Sequence, residues 1–390
     1  MKFASALATQ PDAVQLADQL RRQLGGLPPD LAVAFIAGFD QDVSVQIAQG
    51  LRAELAPPVF LACTAEGVIG AEAEVEQQPA VSVVAASLPG VTLASFDLRP
   101  TRWPALLADP AEFEAAVRLP PDCRLILLLA DPFSSPIDEI LEAFNTLCPG
   151  VPVAGGMASG ASRPGYNVLV CNERVMNGGA VGVALAGALA VDVVVSQGCR
   201  PVGRPYTVTA AEDNLIHSLG DRPPVEQVQS LYAALSPDEQ RLMQNGLFIG
   251  RAIRSGTDAE ALGRGDFLVR GVLGVERQTG ALAIADRVRT GETVQFQVRD
   301  ADTAREDLEL LLVPQTFGEP PAGAFLFSCN GRGTRLFDRP NGDISIVTDA
   351  LGALPLAGFF CAGEIGPVGE RNFLHGHTVS LALFRPAPAA

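Results

Sequence analysis

The sequence predicts an α/β chain of the α+β kind: two domains with mixed β-sheets flanked by helices, built from a recurring strand–helix–strand–hairpin unit. Three observations predict it. Hydrophobic residues make up 48% of the 390 and charged residues 18%, which is ample material for two cores. Apolar runs of strand length alternate with helical stretches. One plan of strand, loop, helix, proline and second strand appears three times.

The first unit reads "LAVAFIAGFD", a helical stretch ending "LRAELAPP", then "VFLACTAEGVIG". The second reads "LILLLADPFSS", "PIDEILEAFNTLCPG", "VPVAGGMASG", and the third "AFLFSCNGRG", "DISIVTDALGAL", "PLAGFFCAGEIG". Each second strand ends in a small residue, four variable residues and a glycine, in the frames Ala62 to Gly67, Gly155 to Gly160 and Gly358 to Gly363. This spacing predicts parallel strands joined by a crossover helix. In the middle unit, Ser135 is placed to cap the helix and Pro136 to open it.

Each unit continues into an expected antiparallel pair: "AEAEVEQQPAVSVVAASL", "NVLVCNERVMNGGAVGVALAG" and "NFLHGHTVSLALF". "MNGG" and "LHGH" are the turn signals. "AVGVALAGALAVDVVV" is too short to span a bilayer and contains Asp192, so it is expected as a buried strand. Between the second and third units, two helices split at Ser236-Pro237 are expected. A meander turning at "RQTG" and "RTGE" should follow, then a helix over "DADTAREDLELLL" capped by Asp300 or Asp302. Glycine and proline cluster at "SQGCRPVGRPY", which divides the chain into domains at 1–203 and 204–390.

The formal net charge of -16 disfavours nucleic acid and anionic lipid as partners. Membrane insertion has no apolar run to support it, and the N-terminus lacks the apolar core of a signal peptide. Seven cysteines without a CxxC pair fit reduced thiols, so a cytoplasmic protein is expected. GxGxxG opening a helix, GxxxxGK[ST], GxSxG and HExxH are all missing, so no catalytic residue is assigned.

"GCRPVG" followed by "VTAAEDNLI", then "LFSCNGRG", then "GFFCAGEIGPVG" with "NFLHGHT" resemble the FIST family in that order. The resemblance covers nearly the whole chain, with a FIST N-terminal domain over 1–203 and a FIST C-terminal domain over 204–390. It implies a bacterial sensory protein that binds a small ligand, with amino acids or similar metabolites as the proposed class. Some similar proteins are described as haem-binding nitric-oxide sensors that regulate a histidine kinase, so haem stays open as a cofactor. Eukaryotic members carry an F-box; no such helical segment precedes the first unit. Output is expected to pass through a separate partner, a histidine kinase or another signalling protein.

Ligand-binding residues are sought where the glycine-ended strands force loops, because small residues there admit a bound group close to backbone N–H groups. From the N-terminal half these are Cys63, Thr64, Gly155, Gly156, Ser159 and Tyr166. From the C-terminal half they are Cys329, Asn330, Gly331, Arg332, Gly333, Cys361, Gly363, Glu364, Arg371, His375 and His377. The expected site is a pocket near the junction of the two domains. A carboxylate in the apolar setting of Glu364 must be paired, ligand-bound or protonated. Arg332 and Arg371 are its candidate partners; it either locks a loop as an ion pair or receives the ammonium of a ligand whose carboxylate an arginine takes. Cys329 beside Arg332 is either a small buried residue, a pocket wall or the nucleophile of a thiol-dependent enzyme. His375 and His377 alternate along a strand-like segment and should share a side. With His217, expected on a helix, they are the candidate axial ligands if haem binds; no other metal is assigned.

Overall fold

The computed structural model describes residues 1–253, 262–263 and 265–387. In the first repeat, β1 (Lys2–Ala8) and α1 (Ala13–Leu24) lead into the crossover β2 (Leu31–Ala37), α2 (Gln41–Leu55), β3 (Val59–Ala65). A short hairpin, β4 (Val68–Gly70) and β5 (Glu74–Val75), and a long strand, β6 (Ala80–Ser87), complete it. The second repeat follows the same order. Its elements are β7 (Val91–Leu98), α3 (Trp103–Ala108), α4 (Pro110–Val117), β8 (Cys123–Ala130), α5 (Ile137–Leu147) and β9 (Val153–Met157). They end in β10 (Leu169–Cys171), β11 (Arg174–Met176) and β12 (Ala180–Gly187).

The third repeat opens with β13 (Leu189–Gln197), and a second body is inserted after it in the sequence. That insertion holds β14 (Cys199–Pro201), β15 (Tyr206–Glu212), β16 (Leu215–Leu219), α6 (Pro224–Ala234) and α7 (Pro237–Asn245). It continues through β17 (Leu247–Ala252), β18 (Phe267–Val275), β19 (Leu282–Ile284), β20 (Thr293–Arg299) and α8 (Ala301–Leu312). The repeat then resumes with β21 (Gly323–Cys329), α9 (Thr334–Phe337), α10 (Gly342–Leu351) and β22 (Leu356–Cys361). It closes with β23 (Glu364–Val368), β24 (Arg371–His375) and β25 (Thr378–Pro386). By contacts the chain forms two units, one of Met1–Val195, Glu309–Leu374 and Thr378–Ala390, the other of Ser196–Leu308 with His375–His377. Among the described residues no helix is long and apolar enough to cross a membrane.

In the first unit one rule describes three six-stranded sheets, ordered β1-β6-β2-β3-β10-β11, β7-β12-β8-β9-β23-β24 and β13-β25-β21-β22-β4-β5. Each holds a lead strand, the returning long strand, and the parallel crossover pair. The last two places are taken by the hairpin of another repeat: β10–β11 joins the first sheet, β23–β24 the second, and β4–β5 the third. The repeats are therefore linked in a closed cycle of exchanged hairpins.

Period-two alternation explains the layering. Leu31, Val33 and Phe35 of β2 enter a core shared by all three sheets, while Ala32, Ala34 and Ile36 face α1 and α2. In the shared core Phe35 stacks on Phe359 at 4.9 Å and meets Phe327 edge-on at 6.1 Å. The helix α2 buries Ser44, Ala48, Leu51 and Leu55, spaced four, three and four, as a one-sided stripe. In the second unit, β17, β20, β15, β16, β19 and β18 close on themselves through the β20–β17 pairing, forming a barrel. Val208, Ile216, Ile249, Val294 and Phe296 fill it.

Several local expectations are corrected. "MNGG" and "LHGH" are not hairpin turns: β11 and β12, and likewise β24 and β25, lie in different sheets. The run "AVGVALAGALAVDVVV" is two strands, β12 and β13, broken at Gly187 with φ 94°. Ser135 does not cap α5; its hydroxyl donates to the Gly179 carbonyl at 2.8 Å instead. The meander is partial, since β18 pairs with β19 but β20 pairs with β14, β15 and β17. The break at Ser236 stands, with Ser236 and Glu239 forming a reciprocal capping box on α7, and Asp300 accepts from Thr303 at the start of α8.

Candidate functional site

The three glycine-ended strand termini meet inside the first unit rather than at a junction of two domains. Backbone hydrogen bonds follow the cycle of exchanged hairpins. The N–H of Phe360 donates to Gly67 at 3.0 Å, that of Met157 to Gly363 at 2.8 Å, and that of Thr64 to Val168 at 3.0 Å. The ends meet side chain against backbone. A Cβ on Gly156 would stand 2.3 Å from Cys361 Sγ, and one on Gly160 2.6 Å from Thr64 Cβ. Gly155 and Gly358 are tighter still, since a Cβ there would lie 1.9 Å from the Leu128 oxygen and 1.8 Å from the Leu326 oxygen.

Two thiols at this meeting point are held in the protonated form by their surroundings. Cys63 and Cys361 are buried, and burial raises both thiol pKa values, with the charge of Glu364 adding to the rise at Cys361. Cys329 closes β21 with 7% exposure; the Gly331 N–H donates to its sulfur at 3.4 Å. Asn330 donates its N–H to the Cys361 carbonyl at 2.8 Å.

Arg332 and Glu364 lie at the chemical centre. Both are fully buried. Arg332 Nε donates to Asp343 Oδ1 at 3.2 Å and Oδ2 at 3.0 Å, and its Nη2 to Oδ1 at 2.6 Å; Ser328 Oγ donates to Oδ2 at 2.7 Å. Burial works against the guanidinium charge, but Asp343 outweighs it and holds the pKa of Arg332 above its ordinary value. Glu364 Oε2 accepts from Thr378 N at 3.2 Å and from its Oγ1 at 2.8 Å. Burial pushes this carboxyl up to about 8, against the Thr378 hydrogen bonds and the nearby charge of Arg332. One atom of each charge, Arg332 Nη1 and Glu364 Oε1, has no hydrogen-bond partner among the described residues. Buried polar atoms are nearly always satisfied, so these two atoms stand out.

The sequence reading missed the residues that hold this centre. Asp343 sits eleven residues beyond Arg332, inside α10, and no short motif joins them. Glu74 on the exchanged hairpin accepts from the N–H groups of Gly342, Asp343 and Ile344 at 3.0, 2.8 and 2.9 Å, capping α10 from another repeat. Burial, then the charge of Asp343, raise its carboxyl to about 8. Glu76 takes Thr334 N at 2.9 Å and Oγ1 at 3.0 Å, and Glu66 pairs with Arg335. Gly333, at φ 57°, lies where a Cβ would stand 2.7 Å from Glu76 Oε1.

Other candidates lie elsewhere. Arg371 is half exposed and pairs with Glu142 rather than with Glu364. Tyr166 is 48% exposed beneath the Arg163 guanidinium, 3.8 Å from its ring centre. Thr64 Oγ1 accepts from Val168 N at 2.9 Å and meets Asn167 at 3.3 Å. Ser159 Oγ joins Glu66 N at 2.9 Å and the Phe360 carbonyl. His217 is on the strand β16, not a helix. His375 is buried at the end of β24, whereas His377 has left the strand at φ 61° and packs on Phe248 at 4.2 Å, so the two do not alternate along one strand. Among the described residues no group of three or more His, Cys, Asp or Glu is disposed to hold a metal ion.

An uncharacterized protein of Mycobacterium tuberculosis (strain ATCC 25618 / H37Rv) is 41% identical over 391 residues, covering 98% of this chain and 100% of its own. An uncharacterized protein of Mycobacterium bovis is also 41% identical, covering 98% of this chain and 99% of its own. A crystal structure of cyanuric acid hydrolase from A. caulinodans covers 99% of both chains at 11% identity with a TM-score of 0.33, a likeness too low to argue from. The FIST N domain matches residues 30–222 and the FIST C domain residues 226–367. Such domains are associated with sensory signalling and small-ligand binding. On these matches, the chain belongs to the FIST family.

Proposed function

We propose that this chain is a cytoplasmic sensory protein that binds a small ligand carrying both an anionic and a cationic group, as an amino acid does, and signals through a separate partner protein. The observation that carries the reading is the buried pair with one open atom on each side, Arg332 Nη1 and Glu364 Oε1. A carboxylate suits the first and an ammonium the second. Among the described residues no disulfide joins any of the seven cysteines, which agrees with a reducing compartment. The ends packed around this centre belong to three repeats, so a guest that orders them biases any equilibrium in how the repeats meet, provided it prefers one arrangement.

Glu364 holds its proton up to about pH 8. A cationic ligand needs the ionised form, so binding releases a proton and affinity rises between pH 6 and about 8. The test is a thermal-shift screen of the full chain against the standard amino acids, with native mass spectrometry on protein purified from its source. At least one zwitterion should raise Tm by several degrees in the wild type and not in Glu364→Gln. No shift with any of them and no co-purifying mass would overturn the reading.

A further inference from the structure

The second repeat carries a hollow whose charge runs against the rest of this acidic chain. It encloses about 510 Å³, and Arg99, Arg102, Arg118 and Arg174 line it with Ser95 and Asp97. The chain as a whole has a formal net charge of -16. The four arginines arrive from four places: the residue after β7, the turn before α3, the residue closing α4, and β11.

Their existing pairings leave positive charge in hand. Asp97 accepts from Arg99 at 3.4 Å and from Arg174, so one carboxylate serves two guanidinium groups. Arg102 pairs with Glu112 at 3.2 Å, a residue outside the lining. Arg118 makes no ion pair among the described residues. It also holds φ 49° at the end of α4, a left-handed position that glycine fills without strain. The helix dipole favours a cation there, which is the competing explanation for an arginine.

Guanidinium forks match phosphoryl oxygens two by two. The aromatic residue of the lining, Phe96, is buried at 4% exposure, so it gives a nucleobase no ring to stack on. We propose that this hollow binds a small molecule bearing two or more phosphoryl groups and reads the phosphates, not what they are attached to. The site is independent of the Arg332–Glu364 centre.

Calorimetric titration of the full chain at low salt with pyrophosphate, ADP and adenosine tests it. Pyrophosphate and ADP should bind with comparable affinity, weakened by added salt, and adenosine should not bind. Arg118→Gly should lower pyrophosphate affinity about tenfold or more while leaving Tm unchanged or higher, because the turn is relieved as the charge is lost. Asp97→Asn should tighten binding several-fold. Arg241→Gln, on an exposed helix of the other unit, should change nothing. The proposal fails if pyrophosphate gives no heat, or if Arg118→Gly and Arg241→Gln weaken it equally, which is diffuse charge alone. Adenosine binding as well as ADP would also overturn it, as would ADP binding more than tenfold tighter than pyrophosphate.

Discussion

Just past the first crossover strand, the second and third repeats both bury charge, and they satisfy it differently. In the second, Asp131 is fully buried with both oxygens engaged: Asn167 Nδ2 reaches Oδ1 at 2.9 Å, while Ser134 Oγ and Phe133 N reach Oδ2 at 2.6 and 3.2 Å. In the third, Arg332 and Asp343 share three hydrogen bonds, yet Arg332 Nη1 and Glu364 Oε1 remain open. The scaffold is the same, so architecture does not force the open atoms. The difference is a property of the third repeat's sequence.

The largest expected effect follows from the charge left behind when each centre is cut. Asp343→Ala strands a wholly buried guanidinium and should cost about 3–5 kcal/mol in urea unfolding. Asp131→Asn keeps the size and loses one set of charge-assisted bonds, for about 1–3 kcal/mol. Equal losses would mean that the two centres are equivalent structural locks, and the functional distinction between them would disappear.

A pH series sharpens the same contrast. Glu364 binds its proton up to about 8 in the folded chain, against an ordinary value of 4.5. The folded state therefore holds a proton that the unfolded chain gives up earlier as pH rises. The stability this confers is present below about pH 4.5 and is lost as pH climbs through about 8. Glu74, raised to about 8 as well, contributes in the same direction. Glu364→Gln should match the wild type near pH 4.5 and exceed it at pH 9 by up to about 5 kcal/mol, at about 1.4 kcal/mol per tenfold change in proton affinity over the rise from 4.5 to about 8. Parallel curves for the two proteins would show that Glu364 ionises freely and is no buried acid.

What the sequence makes legible is what the chain decides locally. Apolar runs, the proline before each second strand and the terminal glycine mark three crossovers because each signal acts within a few residues. Hairpin exchange is silent, since β4 reads as a strand whichever edge receives it, and only tertiary packing sends it to β22. "MNGG" supplies sound turn chemistry between strands that part for different sheets, so a correct local reading gave a wrong pairing. At the site, Glu364 is visible as a carboxylate in apolar surroundings and Arg332 as a candidate partner for it. Asp343 and Glu74 are not: Asp343 looks like any acidic residue near a helix start, and Glu74 on β5 reaches the centre only because its hairpin is exchanged into the third sheet.

The smallest effect compares the equivalent strand positions Ala62, Gly155 and Gly358. In β9 and β22 a Cβ would collide with the oxygen of the neighbouring strand, at 1.9 and 1.8 Å, whereas β3 holds the buried Cβ of Ala62 opposite Ala34. The second and third repeats therefore leave no room for a Cβ at this position, and at Gly155 the φ of 154° adds a backbone conformation that a side chain rarely adopts. Gly155→Ala or Gly358→Ala must push two backbones apart and should cost about 1–3 kcal/mol, as overpacking does. Ala62→Gly removes one methyl and adds chain freedom to the unfolded state, for about 0.5–1 kcal/mol. A Gly358→Ala variant as stable as the wild type would show that the third strand end can open by the width of a methyl group, and the meeting point would then have room that its packing does not display.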